Sequence, residues 1–274
     1  MAVAGGVTRS RVALLRGFAP FLMPGRDGGE VAVCTDVDLA KPECRWLYRF
    51  DIMEGADECR FGTDAEGVYW FEFGTDVWLR YDARQPRRVE VGSVGNPDLL
   101  RFVMWVAYSL LALPSGAVPM HASAVVCQGR AVLCLGESGT GKSTHTRLWC
   151  SELDGCRMLN DDSPIVRVGD GVVTAYGSPW SGKSPIHLPE SFPVAGFLRI
   201  EQRPENTIRR LGTLEAFGAL QPSCPPALAR DEHMLDLLVG FLDRVIPLAP
   251  VYRLGCLPDA GAARLSHQTL FPCS

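Results

Sequence analysis

The most informative residues of the chain stand near its middle and read Gly136-Glu137-Ser138-Gly139-Thr140-Gly141-Lys142-Ser143. They fit the phosphate-binding loop pattern G-x-x-x-x-G-K-[ST] in full. The context also fits, because an apolar strand candidate at 131–135 precedes the loop and a helix is predicted from Lys142 onward. Glycines let successive backbone N–H groups turn inward around phosphate oxygens, and the helix start adds the positive end of its dipole. The sequence therefore predicts nucleotide binding here.

The residues of this loop have distinct expected roles. Lys142 is expected to reach the β- and γ-phosphates, and Ser143 to ligate Mg²⁺ through its hydroxyl. The predicted nucleotide-binding set is Gly136, Glu137, Ser138, Gly139, Thr140, Gly141, Lys142, Ser143 and Thr144. No base-reading motif is recognisable, so ATP and GTP both stay open. The motif alone does not separate a kinase from a hydrolase or a switch.

An acidic pair, Asp161-Asp162, ends the strand candidate that begins at Met158. The chain between Lys142 and this pair has room for one helix and one return strand. We therefore expect that strand to lie beside the strand before the loop, with its end facing the same phosphates. Adjacent residues on a strand point to opposite sides, so one carboxylate can hold Mg²⁺ while the other accepts a proton from an attacking hydroxyl. The alternative is a simple turn, since Asp-Asp-Ser-Pro is good turn chemistry.

Two further polar residues are candidates for catalysis. His121 opens the strand that a tight turn connects to the strand before the loop, so we expect it near the phosphates or in a structural role. Lys183 ends the glycine-containing segment 176–183, where it could neutralise charge on a transferring phosphoryl group. An ordinary solvated lysine is the alternative for this position.

Other charged residues have weaker signals. His145 lies in the first turns of the helix after the loop, where a neutral histidine is expected, either in a structural role or in support of the residues that bind the ligand. Arg203, Arg209 and Arg210 form a local basic cluster that could receive an acidic substrate group. A solvated face is the more common origin of such a cluster.

Composition narrows the function classes. The chain is 47% hydrophobic with a net charge of −4, which is typical of a globular protein and argues against a broad nucleic-acid surface. No two of the ten cysteines have the two-residue spacing of zinc or redox motifs, so reduced structural thiols are expected. The N-terminal stretch lacks a clean signal sequence, and the longest apolar run, 102–113, is shorter than the roughly 20 residues of a membrane span. The sequence thus predicts a cytoplasmic protein without nucleic-acid or membrane partners.

Patterning along the chain divides it into three parts. Residues 1–95 are predicted to be β-rich, because apolar and polar residues alternate at 46–52 and aromatic strand candidates follow. We expect that aromatic row to form a core rather than a ligand face. Residues 96–118 are predicted to be a buried helix and connector, with Asn96-Pro97-Asp98 as its start signal. Residues 119–274 would form the domain that carries the phosphate-binding loop.

From His121 through Asp162 the sequence resembles the catalytic core of the HPr kinase/phosphorylase family, which shares a fold with ATP-dependent phosphoenolpyruvate carboxykinase. In that family a histidine opens a strand, a second strand leads into G-x-S-G-x-G-K-S, and a strand after one helix ends in Asp-Asp. The segments 159–162 and 176–183 look most like an uncharacterised HPr-kinase-related branch found in bacteria. The resemblance covers about residues 119 to 255. It implies an α/β fold, with a mixed β-sheet P-loop kinase core and an N-terminal β-rich region.

The resemblance also implies roles for single residues. Carried over by position, Asp161 would be the general base, and Asp162 would be the metal-side acid alongside Ser143. His121 would lie beside the acceptor or the γ-phosphate, and Lys183 or a nearby arginine would offset charge. The implied activity is transfer of the γ-phosphoryl group of Mg-ATP to a hydroxyl, on a serine-like small molecule or on a peptide or protein serine. Because the related kinases assemble through their cores, a homo-oligomer is implied by analogy.

Two other functions stay open at this point. A nucleotide-binding regulator would bind ATP without transfer, and it would need a metal ligand but no second carboxylate as base. A nucleotide hydrolase would use water as its acceptor. The pair Asp161-Asp162 is the sequence feature that favours transfer over the regulator.

Overall fold

The computed structural model describes residues 2–4, 11–22, 32–51, 58–74, 77–182 and 184–272. The chain divides into two compact units. The first comprises Met1–Ser115 and Ala227–Leu235, and the second comprises Gly116–Pro226 and Asp236–Ser274. Each unit contains a sheet with both parallel and antiparallel strand pairs, so the protein is mixed α/β with mixed sheets.

The first unit is built on a seven-stranded sheet with the order β1-β2-β7-β6-β5-β4-β3. Its strands are β1 Ala2–Ala4, β2 Ala32–Cys34, β3 Arg45–Asp51, β4 Glu58–Thr63, β5 Tyr69–Phe73, β6 Val77–Tyr81 and β7 Arg88–Val91. The aromatic row is a core, as predicted. Phe61 and Phe71 are each 1% exposed with ring centroids 4.6 Å apart, so the row packs against itself.

Helix α1, Pro97–Ala112, begins at the predicted start signal. The side chain of Asn96 accepts hydrogen bonds from the backbone N–H groups of Asp98 and Leu99, at 2.9 Å and 3.1 Å, and so satisfies two of the free donors of the first turn. A 3-10 turn, Leu113–Ser115, follows it. The stretch Pro97–Ser115 is long and apolar enough to cross a membrane by length and composition alone, and half of it is buried inside the protein.

The second unit contains a nine-stranded sheet and most of the helices. Its strands are β8 Ala117–Pro119, β9 Ala122–Cys127, β10 Arg130–Leu135, β11 Arg157–Asp162, β12 Ile165–Gly169, β13 Val172–Tyr176, β14 Ser191–Gln202, β15 Thr207–Arg210 and β16 Val251–Cys256. Its main helices are α2 Lys142–Glu152, α3 Thr213–Leu220, α4 Glu232–Val245, whose first turn belongs to the other unit, and α5 Ala260–Leu270. The main strand order is β11-β9-β10-β14-β13-β12-β8, and β16 joins β14 to β15.

One expectation about this sheet is wrong: β11 does not lie beside β10. Strand β9 lies between them and is antiparallel to both. The cause is the two-residue turn Gln128-Gly129, whose φ angles of 50° and 72° suit the tight hairpin that folds β9 directly onto β10. Because β14 pairs in parallel with the other edge of β10, neither edge of β10 is left for β11.

An apolar cluster joins the sheet to α2 and α5. Trp149 of α2 is fully buried in it, against residues of β10, β14 and β16 and against Ala262 of α5. Cys134 and Cys256 belong to the same cluster, and burial raises the pKa of both thiols. The nine cysteines that the structure describes form no disulfide, and the five buried ones act as small hydrophobic groups, as expected.

Candidate functional site

The phosphate-binding loop connects β10 to α2 in a conformation that requires glycine. The φ angles of Gly136, Gly139 and Gly141 are 152°, 81° and 102°, a region that other residues rarely adopt. A Cβ atom on Gly136 would also lie 2.4 Å from the Thr140 Oγ1 atom. That hydroxyl donates to the Glu137 carbonyl at 2.8 Å and closes the loop on itself. Loops of this kind present backbone N–H groups to an anion.

Lys142 lies over the loop with its charge enclosed. Its Nζ donates to the carbonyls of Gly136 and Glu137 at 2.8 Å and 3.0 Å, and lies 2.9 Å from His121 Nε2. Burial lowers the pKa of Lys142, while the nearby carboxylates, chiefly that of Asp162, oppose the shift. A buried ammonium group held by neutral acceptors is well prepared to receive negatively charged phosphate oxygens.

Asp161 lies in β11 and points toward α2. It is 4% exposed, and its Oδ1 accepts hydrogen bonds from Ser143 Oγ at 2.6 Å and from Ser123 Oγ at 3.0 Å. The Arg147 guanidinium of α2 lies 4.0 Å from its other oxygen. This carboxylate is therefore enclosed and directly bound to the serine of the loop.

Asp162 points the other way and remains accessible. Its side chain is 45% exposed, and its Oδ1 lies 3.4 Å from His121 Nδ1. The residue has a φ of 144°, and a non-glycine residue in such a conformation costs of order 1–3 kcal/mol. Strain of this kind persists only where the surrounding structure holds it, which makes the end of β11 a functional candidate.

His121 connects the lysine to this second carboxylate. An ammonium group is a donor only, so the Nε2 atom that faces Lys142 must accept, and the ring proton is then on Nδ1, facing Asp162. The backbone N–H of His121 donates to the Ser223 carbonyl at 2.6 Å, which fixes the residue just before β9. The five residues predicted from separate segments, His121, Lys142, Ser143, Asp161 and Asp162, thus lie together at one end of the sheet.

Hydrogen bonds connect the segment after β13 to the end of β11, where the acidic pair lies. The fully buried Asn160 donates from Nδ2 to the carbonyls of Ser178 and Trp180 at 3.2 Å and 3.3 Å. The N–H of Gly182 donates to the Asp161 carbonyl. Lys183, the predicted third catalytic residue, lies outside the described residues.

Beside the loop lies a cavity of about 500 Å³, lined among others by Gly139, Thr144, Leu148, Ile200 and Gln202. The predicted Thr144 therefore faces space next to the loop. This volume is within the range of small-molecule sites, which is roughly 300–1,000 Å³.

His145, at the wall of the same cavity, has the structural role expected of it. The ring is 3% exposed, and its Nε2 lies 3.0 Å from Ser266 Oγ and 3.2 Å from Trp149 Nε1. Burial lowers the pKa of His145 to about 4, so it is neutral at pH 7.

The predicted arginine cluster forms only in part, because Arg203 and Arg209 line one cleft and Arg210 does not. Arg209 and Arg210 are neighbours in β15, so they point to opposite faces of the sheet. Arg209 is held by both carboxylate oxygens of Glu215, at 2.9 Å and 2.5 Å. Arg203 contacts Glu201 at 3.1 Å. Three residues near the loop, Ser123, Asn160 and Arg199, were not predicted to have a role. Strand pairing brings Ser123 and Arg199 there, whereas Asn160 directly precedes Asp161 in β11.

The residues present fit Mg²⁺ in one respect. Ser143 and Asp161 offer adjacent hydroxyl and carboxylate oxygens, the ligand type that Mg²⁺ prefers. Among the described residues no group of three or more His, Cys, Asp or Glu side chains forms a metal site.

Comparison with known proteins gives a distant structural relationship. No family model and no curated protein matches the chain. Among solved structures, the HPr(Ser) kinase/phosphatase from Coxiella burnetii matches at 14% sequence identity and a TM-score of 0.31. The match covers 56% of this chain and 92% of that chain. A likeness of this size carries no conclusion about activity.

Proposed function

We propose that the protein is an ATP-dependent phosphotransferase that moves the γ-phosphoryl group of Mg-ATP to a hydroxyl of a small molecule or of a peptide serine. The observation that supports this most is the convergence of Lys142, Ser143, Asp161, Asp162 and His121 on the phosphate-binding loop. A nucleotide sensor needs the lysine, the serine and one carboxylate. A second, accessible carboxylate held by a histidine is the additional feature that transfer needs.

The enclosed carboxylate is suited to the metal. Asp161 and Ser143 would hold Mg²⁺, which supplies positive charge against the phosphate oxygens when it is bound. Asp161 is 4% exposed, so an acceptor hydroxyl has little access to it. This assigns the two carboxylates in the opposite order to that implied by the sequence resemblance.

The accessible carboxylate is suited to the acceptor. Asp162 receives the proton of the acceptor hydroxyl, whose oxygen bonds to the γ-phosphorus while the bond from that phosphorus to the bridging oxygen breaks and ADP leaves. His121 presents its Nδ1 proton toward the Asp162 carboxylate, with 3.4 Å between Nδ1 and Oδ1. Lys142 offsets the negative charge on the phosphates.

The nucleoside fits the cavity of about 500 Å³ beside the loop. Leu148 and Ile200 offer apolar surface to a base there, and Gln202 offers an amide. The Gln202 Nε2 donates to the Gly139 carbonyl at 3.1 Å, which leaves its second N–H and its carbonyl oxygen for a hydrogen bond with either adenine or guanine.

Hydrolysis is a second candidate, because the Asp162 side chain is 45% exposed and water can reach it. An assay with γ-labelled ATP and Mg²⁺ separates the two. The protein is incubated with pools of hydroxyl-bearing metabolites and of serine peptides, and label is followed into acceptors and into free phosphate. Transfer predicts label in an acceptor, lost in Lys142→Ala. Label in free phosphate alone would identify a hydrolase, and intact ATP with all pools would contradict both activities.

A further inference from the structure

One row of residues crosses the sheet of the second unit at the level of the phosphate-binding loop. Strand pairing sets these residues directly opposite one another on six neighbouring strands. In order, they are Asp162 of β11, Ala122 of β9, Leu135 of β10, Arg199 of β14, Arg253 of β16 and Arg209 of β15. The last residue before the loop, Leu135, thus has the proposed base on one side and three arginines on the other.

The arginines project from the face of the sheet that faces away from α2 and α5. Their chain neighbours Leu198 and Leu254 belong to the apolar cluster with Trp149 and Ala262. Because successive side chains on a strand alternate between faces, Arg199 and Arg253 lie on the opposite face. Asp162 likewise points away from α2, since its neighbour Asp161 is the residue that binds Ser143.

Three guanidinium groups directly opposite one another repel, and like charges in this arrangement are destabilising. Arg209 is neutralised by its two hydrogen bonds to Glu215. The Arg199 side chain is only 19% exposed. Its guanidinium group lies 4.0 Å from the carboxylate of Glu137, a highly exposed residue of the loop, so this contact neutralises it only weakly.

The guanidinium group of Arg253 also has a hydrogen-bond donor without an acceptor among the described residues. Its Nε is buried and lies 3.3 Å from a Glu201 oxygen, without the geometry of a hydrogen bond. Beside it is a cleft of about 350 Å³, in whose lining three arginines, Arg203, Arg209 and Arg253, outnumber two carboxylates, Glu201 and Glu205. A cleft of this size with convergent donors fits a small anionic ligand.

We infer that Arg199 and Arg253 form an anion site for the phosphoryl acceptor, which is therefore a hydroxylated compound that carries a carboxylate or a phosphate group. The acceptor's anionic group binds the two guanidinium groups, and its hydroxyl extends past the loop toward Asp162. Strands β9 and β10 lie between Asp162 and Arg199, so the backbones of these two residues are about 14 Å apart. Their charged groups can lie closer than that, because both side chains are on the same face of the sheet. This acceptor role rests on the proposed phosphotransferase function, but the anion site can be tested without it.

The test measures binding of inorganic phosphate and of malonate to the full chain by titration calorimetry. All proteins carry Lys142→Ala, which weakens anion binding at the loop. In this background we expect saturable binding that Arg253→Gln weakens by about tenfold or more, as expected for the loss of a charge-assisted hydrogen-bonding group. Arg199→Lys, which keeps the charge of this less exposed position, should weaken binding as well. The matched control is Arg167→Gln, an exposed arginine of β12 outside the row, which should bind like the parent.

The outcomes separate the two proposals. The tighter-binding probe identifies the acceptor's anionic group as phosphate or carboxylate. Absence of saturable binding, or equal binding by the Arg253→Gln, Arg199→Lys and Arg167→Gln proteins, would overturn the anion site even if the wild type binds Mg-ATP. Conversely, the protein could bind anions in a way that depends on Arg253 and yet transfer no phosphoryl group. That result would contradict the proposed phosphotransferase function and support the anion site alone.

Discussion

Ser143 Oγ donates a 2.6 Å hydrogen bond to Asp161 Oδ1, which joins the first turn of α2 to the end of β11. Ser123 of β9 donates to the same oxygen at 3.0 Å and contacts Thr146 of α2 at 2.8 Å. These contacts hold the phosphate-binding loop and the acidic pair in one rigid arrangement. The nearer carboxylate is thereby committed to the loop, while Asp162 is left accessible.

Because the two carboxylates have different proposed roles, replacing each of them by asparagine should cause a different defect. Asp162→Asn should lower phosphoryl transfer by about 10²–10⁴-fold, the usual contribution of general base catalysis, while Mg-ATP still raises the thermal midpoint. Asp161→Asn should instead weaken nucleotide binding in Mg²⁺ and have little effect on binding in EDTA. Midpoints with ATP, with and without Mg²⁺, check both variants. The reverse pattern, with Asp162→Asn losing the Mg²⁺-dependent shift, would restore the order implied by the sequence resemblance.

Gly136 gives a steric test of the loop. Gly136→Ala should abolish the nucleotide-dependent shift, because the new Cβ would lie 2.4 Å from Thr140 Oγ1 at a φ of 152°. Gly218→Ala in α3 is a matched control, since a Cβ there meets nothing within 4 Å. Alanine in a helix is favoured over glycine by up to about 1 kcal/mol, so the control should be as stable as wild type or more so. Normal ATP binding by Gly136→Ala would show that the loop conformation is not required.

The buried His145 predicts a pH dependence of stability. Burial lowers the pKa of His145 in the folded state to about 4, below the ordinary histidine value of 6.5, so the unfolded chain binds the extra proton first as the pH falls. Stability is therefore complete above about pH 6.5 and is lost on acidification toward pH 4, by about 2 kcal/mol between pH 7 and pH 5. Urea denaturation at the two pH values measures the loss. It should shrink in His145→Gln and persist in a His233→Gln control at an exposed position; an equal loss in His145→Gln would contradict this assignment.

The sequence predicted those features that depend on a few neighbouring residues. The loop 136–143, the start of α1 at Asn96 and the hairpin turn at Gln128-Gly129 each carry their own turn or capping signals. The sheet order was not readable, because nothing local states that β14 takes the second edge of β10. That pairing is also what brings Arg199 to the loop. From the sequence, only the neighbouring residues Arg203, Arg209 and Arg210 could be identified as a basic cluster, and a solvated face was the favoured interpretation of it.

The roles of the two carboxylates show the same limit. The sequence predicted that Asp161 and Asp162 would point to opposite sides, which follows from strand geometry alone. Which of them faces α2 depends on the register between β11 and β9, and that register contains an irregularity between Met158 and Asn160. A one-residue change in register exchanges the two faces, so the alternation alone could not assign the roles.

Thermal denaturation shows whether Lys142 and the loop bind the phosphates of Mg-ATP. Wild type, Lys142→Ala and the exposed control Lys41→Ala are heated with Mg-ATP, with Mg-GTP and without nucleotide. Nucleotide at a hundredfold excess over its Kd stabilises the folded state by about 2.7 kcal/mol, so wild type and Lys41→Ala should shift upward while Lys142→Ala should not. Unchanged midpoints in wild type with both nucleotides, or an equal shift in Lys142→Ala, would contradict nucleotide binding by Lys142 and the loop.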